Sequence, residues 1–265
     1  MARGKVLVTG VSRGIGKAIA EALVAKGYEV YGTARNPLTI PKKDMIPGVR
    51  YMALDLTSDR SVTELARRVR DSDIVIHNAG SSMLGPAEES RADRVRLLFE
   101  TNFLGPMRLT QALLPSLRRR GKSLILFVGS MHTEAAVPFS SAYASSKAAL
   151  KAFARALRVE TARYGVRVAV VSPFHVATGL AHERQYADNS PYRSDIDAVM
   201  EARERILSRA VSPKVVAGKV LQILSNPRPR FFYPVGRRAD AIAFLMRHMP
   251  YGIVDAVMKS RFGMG

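Results

Sequence analysis

The chain has 265 residues, of which 47% are hydrophobic, and this composition is typical of one globular domain able to bury a substantial core. It contains no cysteine, which excludes disulfides, thiolate catalysis and cysteine-ligated metal sites. The formal net charge of +19 leaves three kinds of contact open, namely nucleic acid, an anionic membrane surface and an acidic carrier protein, beside a basic surface that is simply solvated.

Two basic clusters, at 67–70 and 118–122, lack interleaved aromatic side chains, and no nucleic-acid motif accompanies them. The sequence therefore predicts no specific nucleic-acid partner. No run of apolar residues approaches the ~18 that a membrane span requires. Together with the lack of cysteine, this predicts a cytoplasmic protein that makes at most peripheral contact with a membrane or with an acidic carrier protein.

Strand-like and helix-like segments alternate along the chain, which predicts an α/β fold: a doubly wound, Rossmann-like parallel sheet with helices on both faces. The predicted strands lie at 5–9, 29–33, 50–54, 73–77, 123–129, 166–172 and 230–235. The predicted helices lie at 14–26, 60–70, 91–119, 141–164, 194–209 and 212–225. In the long third helix Pro106 can introduce a bend. Residues 1–265 are predicted to form a single domain.

The first predicted strand runs into a glycine-rich loop and then a helix; the loop reads Gly10-Val11-Ser12-Arg13-Gly14-Ile15-Gly16. Glycines permit a tight turn and a close approach of the backbone to a dinucleotide, whose pyrophosphate can bind the unpaired N–H groups of the helix amino terminus. The spacing differs from the more familiar Gly-x-Gly-x-x-Gly, and a glycine turn without a ligand is the alternative interpretation.

The second predicted strand ends in Ala34-Arg35-Asn36, where an NAD site generally places an acidic residue that bonds the ribose 2′-hydroxyl. No acidic residue is present there. Arg35 and Arg13 instead predict a two-sided clamp for the 2′-phosphate of NADP(H), because guanidinium groups bind phosphate bidentately. The alternative is that both arginines are solvated surface residues.

Tyr143 and Lys147 lie four residues apart in a predicted helix, so both side chains emerge from one face. A neighbouring cation favours the phenolate, and we expect Lys147 to lower the Tyr143 pKa from its usual ~10 toward neutrality. Ser130, a strand's length upstream, can place a hydroxyl against the same substrate oxygen. These side chains predict an acid–base unit.

Five segments, in this order, make the chain resemble the short-chain dehydrogenases/reductases over nearly its whole length: Thr9-Gly10-x-x-x-Gly14-Ile15-Gly16, Asn78-Ala79-Gly80, Asn102-x-x-Gly105, Ser130 and Tyr143-x-x-x-Lys147. The resemblance implies that Asn102, Ser130, Tyr143 and Lys147 are catalytic. It implies that Lys147 also holds the cofactor ribose and that Asn102 holds a water that returns the proton through Lys147. It further implies a homodimer or homotetramer built on the helices at 91–119 and 141–164.

The resemblance also implies a dinucleotide site, which the two arginines predict to be for NADP(H); no metal is expected, because Tyr143 and Ser130 polarise the substrate oxygen. The residues assigned to the cofactor match the family's binding motifs: Gly10, Ser12, Arg13, Gly14, Ile15, Gly16, Arg35, Asp55, Leu56, Asn78, Ala79, Gly80, Tyr143, Lys147, Pro173, Val176 and Thr178. The residues assigned to the substrate are Ser130, His132, Tyr143 and Phe174. Phe174 stands where the family has a glycine, so we expect it at the nicotinamide edge, narrowing or re-aiming the pocket. His132 is interpreted as a pocket-wall residue, the alternative being a second acid.

Two regions interrupt the alternation of strands and helices. Residues 180–210 are predicted to fold over the substrate, as in similar enzymes, the alternative being a surface helix without ligand contact. The tail, 237–265, carries apolar residues at helical spacing flanked by basic ones. It can pack against the core, act as a lid or subunit contact, or present a basic amphipathic surface to a membrane.

The segment Tyr31-Gly32-Thr33-Ala34-Arg35 and the extended tail resemble those of hydroxysteroid, retinol and lipid-ketone reducing members of the family. The resemblance therefore implies NADP(H)-dependent interconversion of a ketone and a secondary alcohol on a bulky apolar substrate. One alternative is a 3-oxoacyl reductase acting on carrier-bound chains, with the basic cluster at 118–122 meeting the acidic carrier. The other is a non-catalytic NADPH sensor or nucleic-acid partner.

Overall fold

The computed structural model describes residues 3–134, 137–179 and 182–264. The strands within these ranges are β1 (Lys5–Val8), β2 (Glu29–Ala34), β3 (Val49–Ala53), β4 (Ile74–His77), β5 (Ser82–Leu84), β6 (Ser123–Val128), β7 (Val166–Pro173), β8 (His182–Arg184) and β9 (Phe232–Val235). Seven of them form one parallel sheet in the order β3-β2-β1-β4-β6-β7-β9. The predicted α/β fold is confirmed, and each predicted strand agrees with the structure to within two residues.

Helices cover both faces of this sheet. They are α1 (Gly14–Ala25), α2 (Asp59–Arg68), α3 (Ala92–Phe99), α4 (Gly105–Arg120), α5 (Ser141–Thr161), α6 (Arg193–Leu207), α7 (Pro213–Ser225), α8 (Ala239–His248) and α9 (Tyr251–Phe262). In β1, Val6 and Val8 face the layer of α1 and α7, whereas Leu7 faces the layer of α2, α4 and α5, and all three side chains are buried. Burial on both faces explains why the central strands read as continuous apolar runs.

The long helix predicted at 91–119 is a continuous helical run in the structure, but it is not α-helical throughout. Helices α3 and α4 are separated by one turn of π-helix, Glu100–Leu104, which contains Asn102. Pro106 lies at the start of α4, just after the π-turn, and the backbone is helical on both sides of it. Single π-turns within helices are frequent at functional sites.

A second, two-stranded sheet was not predicted. β5 and β8 pair in parallel, with Ser82 opposite His182, and this pairing fastens residues 182–184 to the loop that follows β4. Three-residue strands of mixed polarity carry too weak a periodicity to be recognised from sequence. The first two residues of the region predicted to cover the substrate, 180 and 181, lie outside the described residues.

The tail forms two helices that pack on the rest of the chain. Ala239 and Ala243 of α8 are buried against Phe174. Val254 and Met258 of α9 are buried in an apolar cluster with α6, as is Phe262. Of the three interpretations of the tail, packing against the core accounts for these contacts.

None of the helices in the described part of the chain is long and apolar enough to cross a membrane.

Candidate active site

The carboxyl ends of β1, β4, β6 and β7 meet at one edge of the sheet, and the loops that follow them carry the predicted site residues. In a doubly wound sheet this edge is where ligands bind. The loop after β1 turns on glycines: Gly10 has φ of +73° and Gly14 has φ of +59°. A Cβ on Gly16 would lie 2.0 Å from the Gly10 carbonyl oxygen, so no larger residue fits there without moving the backbone.

Thr9 and Asn78 hold this loop against the end of β4. The Thr9 Oγ1 accepts hydrogen bonds from the backbone N–H groups of Asn78 at 2.9 Å and Ala79 at 3.0 Å. The Asn78 side chain donates in return to the carbonyl oxygens of Thr9 at 2.9 Å and Gly10 at 3.0 Å. The two sequence motifs, Thr9-Gly10 and Asn78-Ala79-Gly80, are therefore joined in the structure by hydrogen bonds between their loops.

The amino terminus of α1 is open to an anion. Among the described residues, no side chain caps this end and no acidic side chain lies in its first turn. The N–H groups of a first helical turn have no partner within the helix, and they carry partial positive charge. Ser12 and Arg13 at this end are exposed, while Ile15 is half-buried. The loop thus fits the pyrophosphate of a dinucleotide cofactor.

The structure places the remaining predicted cofactor residues along the same edge. Arg35 is exposed directly after β2, and within the described ranges neither Arg13 nor Arg35 pairs with a carboxylate. The Asp55 Oδ1 accepts hydrogen bonds from the Thr57 N–H at 2.9 Å and the Thr57 hydroxyl at 2.8 Å, which leaves its second oxygen for a ligand. Leu56 beside it is buried.

The segment after β7 closes the other side of the glycine loop. A Cβ on Gly14 would lie 3.1 Å from the Thr178 carbonyl oxygen, so these two loops are in contact. Pro173 ends β7, and Val176 pairs with Val211 in an isolated parallel bridge. This bridge ties the segment to the residues between α6 and α7.

Ser130, Tyr143 and His132 form one contiguous group. Ser130 follows β6, and its hydroxyl acts on Tyr143 by lowering the phenol pKa against the larger effect of burial. The Ser130 Oγ also lies 3.0 Å from the His132 Nδ1, and the His132 ring stands edge-on to the Tyr143 ring with centroids 5.3 Å apart. His132 therefore packs directly against Tyr143.

Lys147 is buried one helical turn beyond Tyr143. Its Nζ donates to the Val128 carbonyl oxygen at 3.2 Å, and burial lowers the Lys147 pKa to about 8. A Cβ placed on Gly80 would lie 3.3 Å from this Nζ and 3.0 Å from the Asn102 Oδ1. Gly80 thus allows the lysine and the asparagine to approach the same point of the backbone.

Asn102 joins three elements. Its Oδ1 accepts from the Ser81 N–H at 2.9 Å, and its Nδ2 donates to the Ser81 carbonyl oxygen and to the Ser146 hydroxyl, each at 3.0 Å. The π-turn points this fully buried side chain at the loop after β4 and at α5. One lone pair of Oδ1 is left for a further donor.

The predicted lowering of the Tyr143 pKa by Lys147 is wrong for the chain alone. Burial raises the pKa of Tyr143, opposed by the nearby Ser130 hydroxyl and by the positive charge of Arg203. The Lys147 ammonium is directed to Val128, and removal of the phenol from water penalises its charged form. Tyr143 therefore holds its proton at neutral pH, as a proton donor must.

Phe174 is buried against Met131 and α8, and its ring lies 3.8 Å from that of His175. His175 has φ of +49°, a conformation that non-glycine residues rarely adopt, and its buried Nε2 has no hydrogen-bond partner within the described ranges. Phe174 is the residue that replaces the family's glycine, whereas the residue with the strained backbone is His175, the next in the chain.

Sequence reasoning missed Arg203, the other charged group near Tyr143. Arg203 lies on α6, and its Nη2 is 2.9 Å from the Nε2 of His182. Its positive charge acts on Tyr143 and on three histidines, His132, His175 and His182. The one signal in the sequence is that Arg203 has no acidic residue three or four positions away on its helix.

The chain was compared with known protein families and structures. A family model described as short chain dehydrogenase matches residues 4–189. A 3-ketodihydrosphingosine reductase of Bacteroides thetaiotaomicron is 27% identical, over 87% of this chain and 87% of the relative. A short-chain dehydrogenase of Streptomyces avermitilis has a similar structure, with a TM-score of 0.82 and 28% identity over 98% of this chain and 95% of the other.

An alcohol dehydrogenase of the archaeon Thermococcus sibiricus, solved with 5-hydroxy-NADP, has a TM-score of 0.72 and 27% identity, over 88% of this chain and 96% of its own. The family model covers well over half of the chain, and it includes the glycine loop and the Ser130–Tyr143–Lys147 group. This protein belongs to the short-chain dehydrogenase family and is an oxidoreductase of that family.

Proposed function

We propose that this protein interconverts a ketone and a secondary alcohol with NADP(H), acting on a bulky, apolar, lipid-like substrate. The observation that carries this proposal is the grouping of Ser130 and Tyr143 around His132, which contacts both, one helical turn from the buried Lys147 and at the edge of the sheet where the glycine loop lies. Bound NADPH supplies the hydride. The side chains of this protein supply the proton and the fixed dipoles around the reacting oxygen.

In the reductive direction, Tyr143 donates its proton to the carbonyl oxygen as negative charge develops there. Ser130 donates a hydrogen bond to the same oxygen, and a dipole already fixed in place stabilises this charge without reorganisation. The raised pKa of Tyr143 keeps the phenol protonated until negative charge develops on the substrate oxygen. In the oxidative direction the same groups act in reverse.

Lys147 and Asn102 return the proton to Tyr143 in this proposal. The Lys147 pKa of about 8 is close to neutrality, so its ammonium can release a proton and regain it at little cost. The free lone pair of the Asn102 Oδ1, close to the Lys147 Nζ across Gly80, can hold a water in the path. The protein hydrogen bonds of Asn102 hold the π-turn in position for this task.

The preference for NADP(H) over NAD(H) is proposed from Arg13 and Arg35. Both are exposed at the carboxyl edge of the sheet and free of carboxylate partners within the described residues. Guanidinium groups in this position match a 2′-phosphate, and β2 ends without the acidic residue that would bond a 2′-hydroxyl. The Thermococcus alcohol dehydrogenase, which was solved with an NADP derivative, supports the same choice.

The apolar character of the substrate is proposed from the cover of the site and from one relative. Helices α6 and α9 pack through a buried cluster, and α8 packs on Phe174, so apolar helices lie over the carboxyl edge. The 27% identical Bacteroides relative is named for reducing a 3-keto lipid base. We further propose a cytoplasmic homodimer or homotetramer that pairs through α4 and α5, since α5 exposes Val159, Ala148 and Ala152.

A panel of carbonyl compounds tests this proposal through the loss of NADPH absorbance. We expect long-chain ketones to be reduced with a kcat/KM at least about tenfold above that of acetone or of 3-oxoacyl thioesters. A higher rate with carrier-bound thioesters, weakened steeply by salt, would assign the protein to the 3-oxoacyl reductases instead. NADPH binding without turnover of any carbonyl or alcohol would leave only a sensor.

A further inference from the structure

Helix α6 carries three arginines, and they differ in their partners. Arg193 pairs with Asp197 at 3.0 Å, and Arg205 pairs with Glu201 at 3.6 Å, each on its own helix. Arg203 has no carboxylate partner anywhere in residues 3–134, 137–179 and 182–264. Unlike Arg205, which is exposed, Arg203 is half-buried.

Burial without a counter-ion is costly for a guanidinium. Burial lowers the pKa of Arg203, which reflects the loss of water around the charge. Buried charges in proteins are usually paired or hydrogen-bonded, because an unpaired one has lost its hydration without replacement. A guanidinium has five N–H donors, and the described residues accept one hydrogen bond from Arg203, at the His182 Nε2.

The contact between Arg203 and His182 is itself fixed in direction. Arginine can only donate, so the His182 Nε2 must accept, and the proton of the neutral ring must lie on Nδ1. The Nδ1–H can donate a hydrogen bond to the Ser82 Oγ, which lies 2.7 Å from Nδ1 because Ser82 stands opposite His182 in the β5–β8 pair. The small sheet therefore holds the arginine in place through a chain of two hydrogen bonds.

Among the described residues, no carboxylate acts on the charge of Arg203. The titratable groups that interact with Arg203 are Tyr143 and the histidines at 132, 175 and 182, and Arg261 of α9 acts on His175. Burial, with a smaller contribution from the Arg203 charge, keeps all three histidines neutral, with pKa values of about 3 for His132 and about 4 for the other two. The carboxylate next to His182 in sequence, that of Glu183, is engaged with Arg94.

We propose that Arg203 is a specificity residue that binds an anionic group of the substrate, a carboxylate near the reacting carbonyl. This inference rests on the proposed ketone–alcohol chemistry and narrows it to oxo acids and hydroxy acids with an apolar body. The carboxylate takes the place of the missing counter-ion, and the free N–H donors of Arg203 bind it through charge-assisted hydrogen bonds. Neutral His132 and Tyr143 lie beside it, so the anion meets no competing negative charge.

The experiment uses the full chain with NADPH and pairs of substrates that differ only in charge: 4-oxodecanoate and its methyl ester, with 2-decanone as the neutral ketone. We expect wild-type kcat/KM to favour the acid over the ester by about tenfold or more. Arg203→Gln is expected to remove that preference by lowering kcat/KM for the acid while leaving the ester nearly unchanged. Arg203→Lys should restore part of it, because a lysine keeps the charge and loses the planar fork.

The matched control is Arg205→Gln, two residues further along α6, which removes the same charge from an exposed position paired with Glu201. It should leave the preference for the acid intact. Equal losses on acid and ester in Arg203→Gln, accompanied by a lower melting temperature, would make Arg203 a brace for His182 and overturn the inference. Equal wild-type rates on acid and ester would overturn it as well, while leaving the proposed reaction standing.

A binding measurement separates this inference from the proposed function. Decanoate and decanol are titrated calorimetrically into the chain with and without NADPH. We expect decanoate to bind more tightly than decanol and Arg203→Gln to abolish the difference, even if no carbonyl is turned over. Equal affinities for decanoate and decanol in the wild type would refute the anion site. Tight decanoate binding without turnover would refute only the proposed reaction.

Discussion

The amino-terminal part of the site differs in construction from the carboxyl-terminal segments beside it, β8, α6, α8 and α9, which we call the cover. The loops after β1 and β4 use backbone: glycines that leave no room for a Cβ, and hydrogen bonds between Thr9, Asn78 and main-chain groups. The cover, in contrast, uses side chains. Arg203 and His182 reach the site from α6 and from β8, a strand of three residues.

This difference explains what sequence similarity can and cannot reveal. A backbone cradle is fixed by the fold, so proteins that share the fold share its glycines. A side-chain surface can change without disturbing the sheet. The family model accordingly ends at residue 189, before α6 begins at Arg193. The match therefore includes the glycine loop and Tyr143 and does not reach Arg203.

Tyr143→Phe should have the largest effect, because Tyr143 is the proposed proton donor and also interacts with Arg203 of the cover. Loss of the proton donor is expected to lower kcat by about 10³-fold, within the range for a general acid, while NADPH affinity stays unchanged. Steady-state rates and calorimetric titration of NADPH measure the two quantities. Tyr164→Phe is the matched control, since the ring beneath Arg118 and Arg163 keeps its face after the hydroxyl is lost. A kcat within tenfold of wild type would transfer the proton-donating role to another group, with His132 the first to test.

Gly16→Ala should disrupt the glycine loop after β1 and leave the cover unchanged. The added Cβ would lie 2.0 Å from the Gly10 carbonyl oxygen and 2.4 Å from the Asn78 Nδ2, so the loop must shift. We expect about a 10²-fold loss of NADPH affinity and a loss of stability of about 1–3 kcal/mol, as for other overpacked positions. Isothermal titration and urea unfolding provide the two measurements.

Gly218→Ala serves as the control for this substitution. Gly218 lies inside α7, and a Cβ there would have no neighbour within 4 Å. An alanine in a helix interior is about 0.5–1 kcal/mol more favourable than a glycine, so this variant should be slightly more stable and bind NADPH normally. Unchanged NADPH binding in Gly16→Ala would show that the cofactor does not depend on the glycine turn.

Much of the fold could be predicted because its signals are local and repeated. The seven strands of the main sheet follow from apolar runs separated by helical segments, and Tyr143 and Lys147 from their helical spacing. The π-turn around Asn102 could not be predicted, since it depends on packing against Ser81 and Ser146. The pKa of Tyr143 was mispredicted for a similar reason: burial, which sequence spacing does not give, outweighs the neighbouring lysine.

A fall in pH should destabilise the fold through its buried histidines, and His77 in the amino-terminal part can be tested apart from the histidines of the cover. His77, at the end of β4, is buried against Phe127, and burial lowers its pKa from 6.5 to about 3. A buried neutral histidine stabilises the fold fully above pH 6.5, and this stability is lost as the pH falls toward 3, because only the unfolded chain takes up the proton. At pH 5 the expected loss from His77 is about 2 kcal/mol.

His77→Phe should therefore lose about 2 kcal/mol less free energy of unfolding than the wild type between pH 7 and pH 5. Urea unfolding at the two pH values measures this. The exposed His248 provides the control, and His248→Gln should follow the wild type. If His77→Phe also follows the wild type, the acid sensitivity belongs to the histidines of the cover.

Ala34→Asp should have the smallest effect, and it tests the proposed preference for NADP(H) over NAD(H). The aspartate stands where an NAD site carries its acid, beside Arg35, so it should repel the 2′-phosphate and accept a hydrogen bond from a 2′-hydroxyl. We expect the ratio of kcat/KM for NADPH to that for NADH to fall about tenfold, equivalent to 1.4 kcal/mol. Ala241→Asp makes the same charge change on the exposed side of α8 and should leave the ratio alone. Should Ala34→Asp leave it alone too, Arg13 and Arg35 are solvated surface residues, and the cofactor preference must lie in backbone contacts that an added carboxylate does not reach.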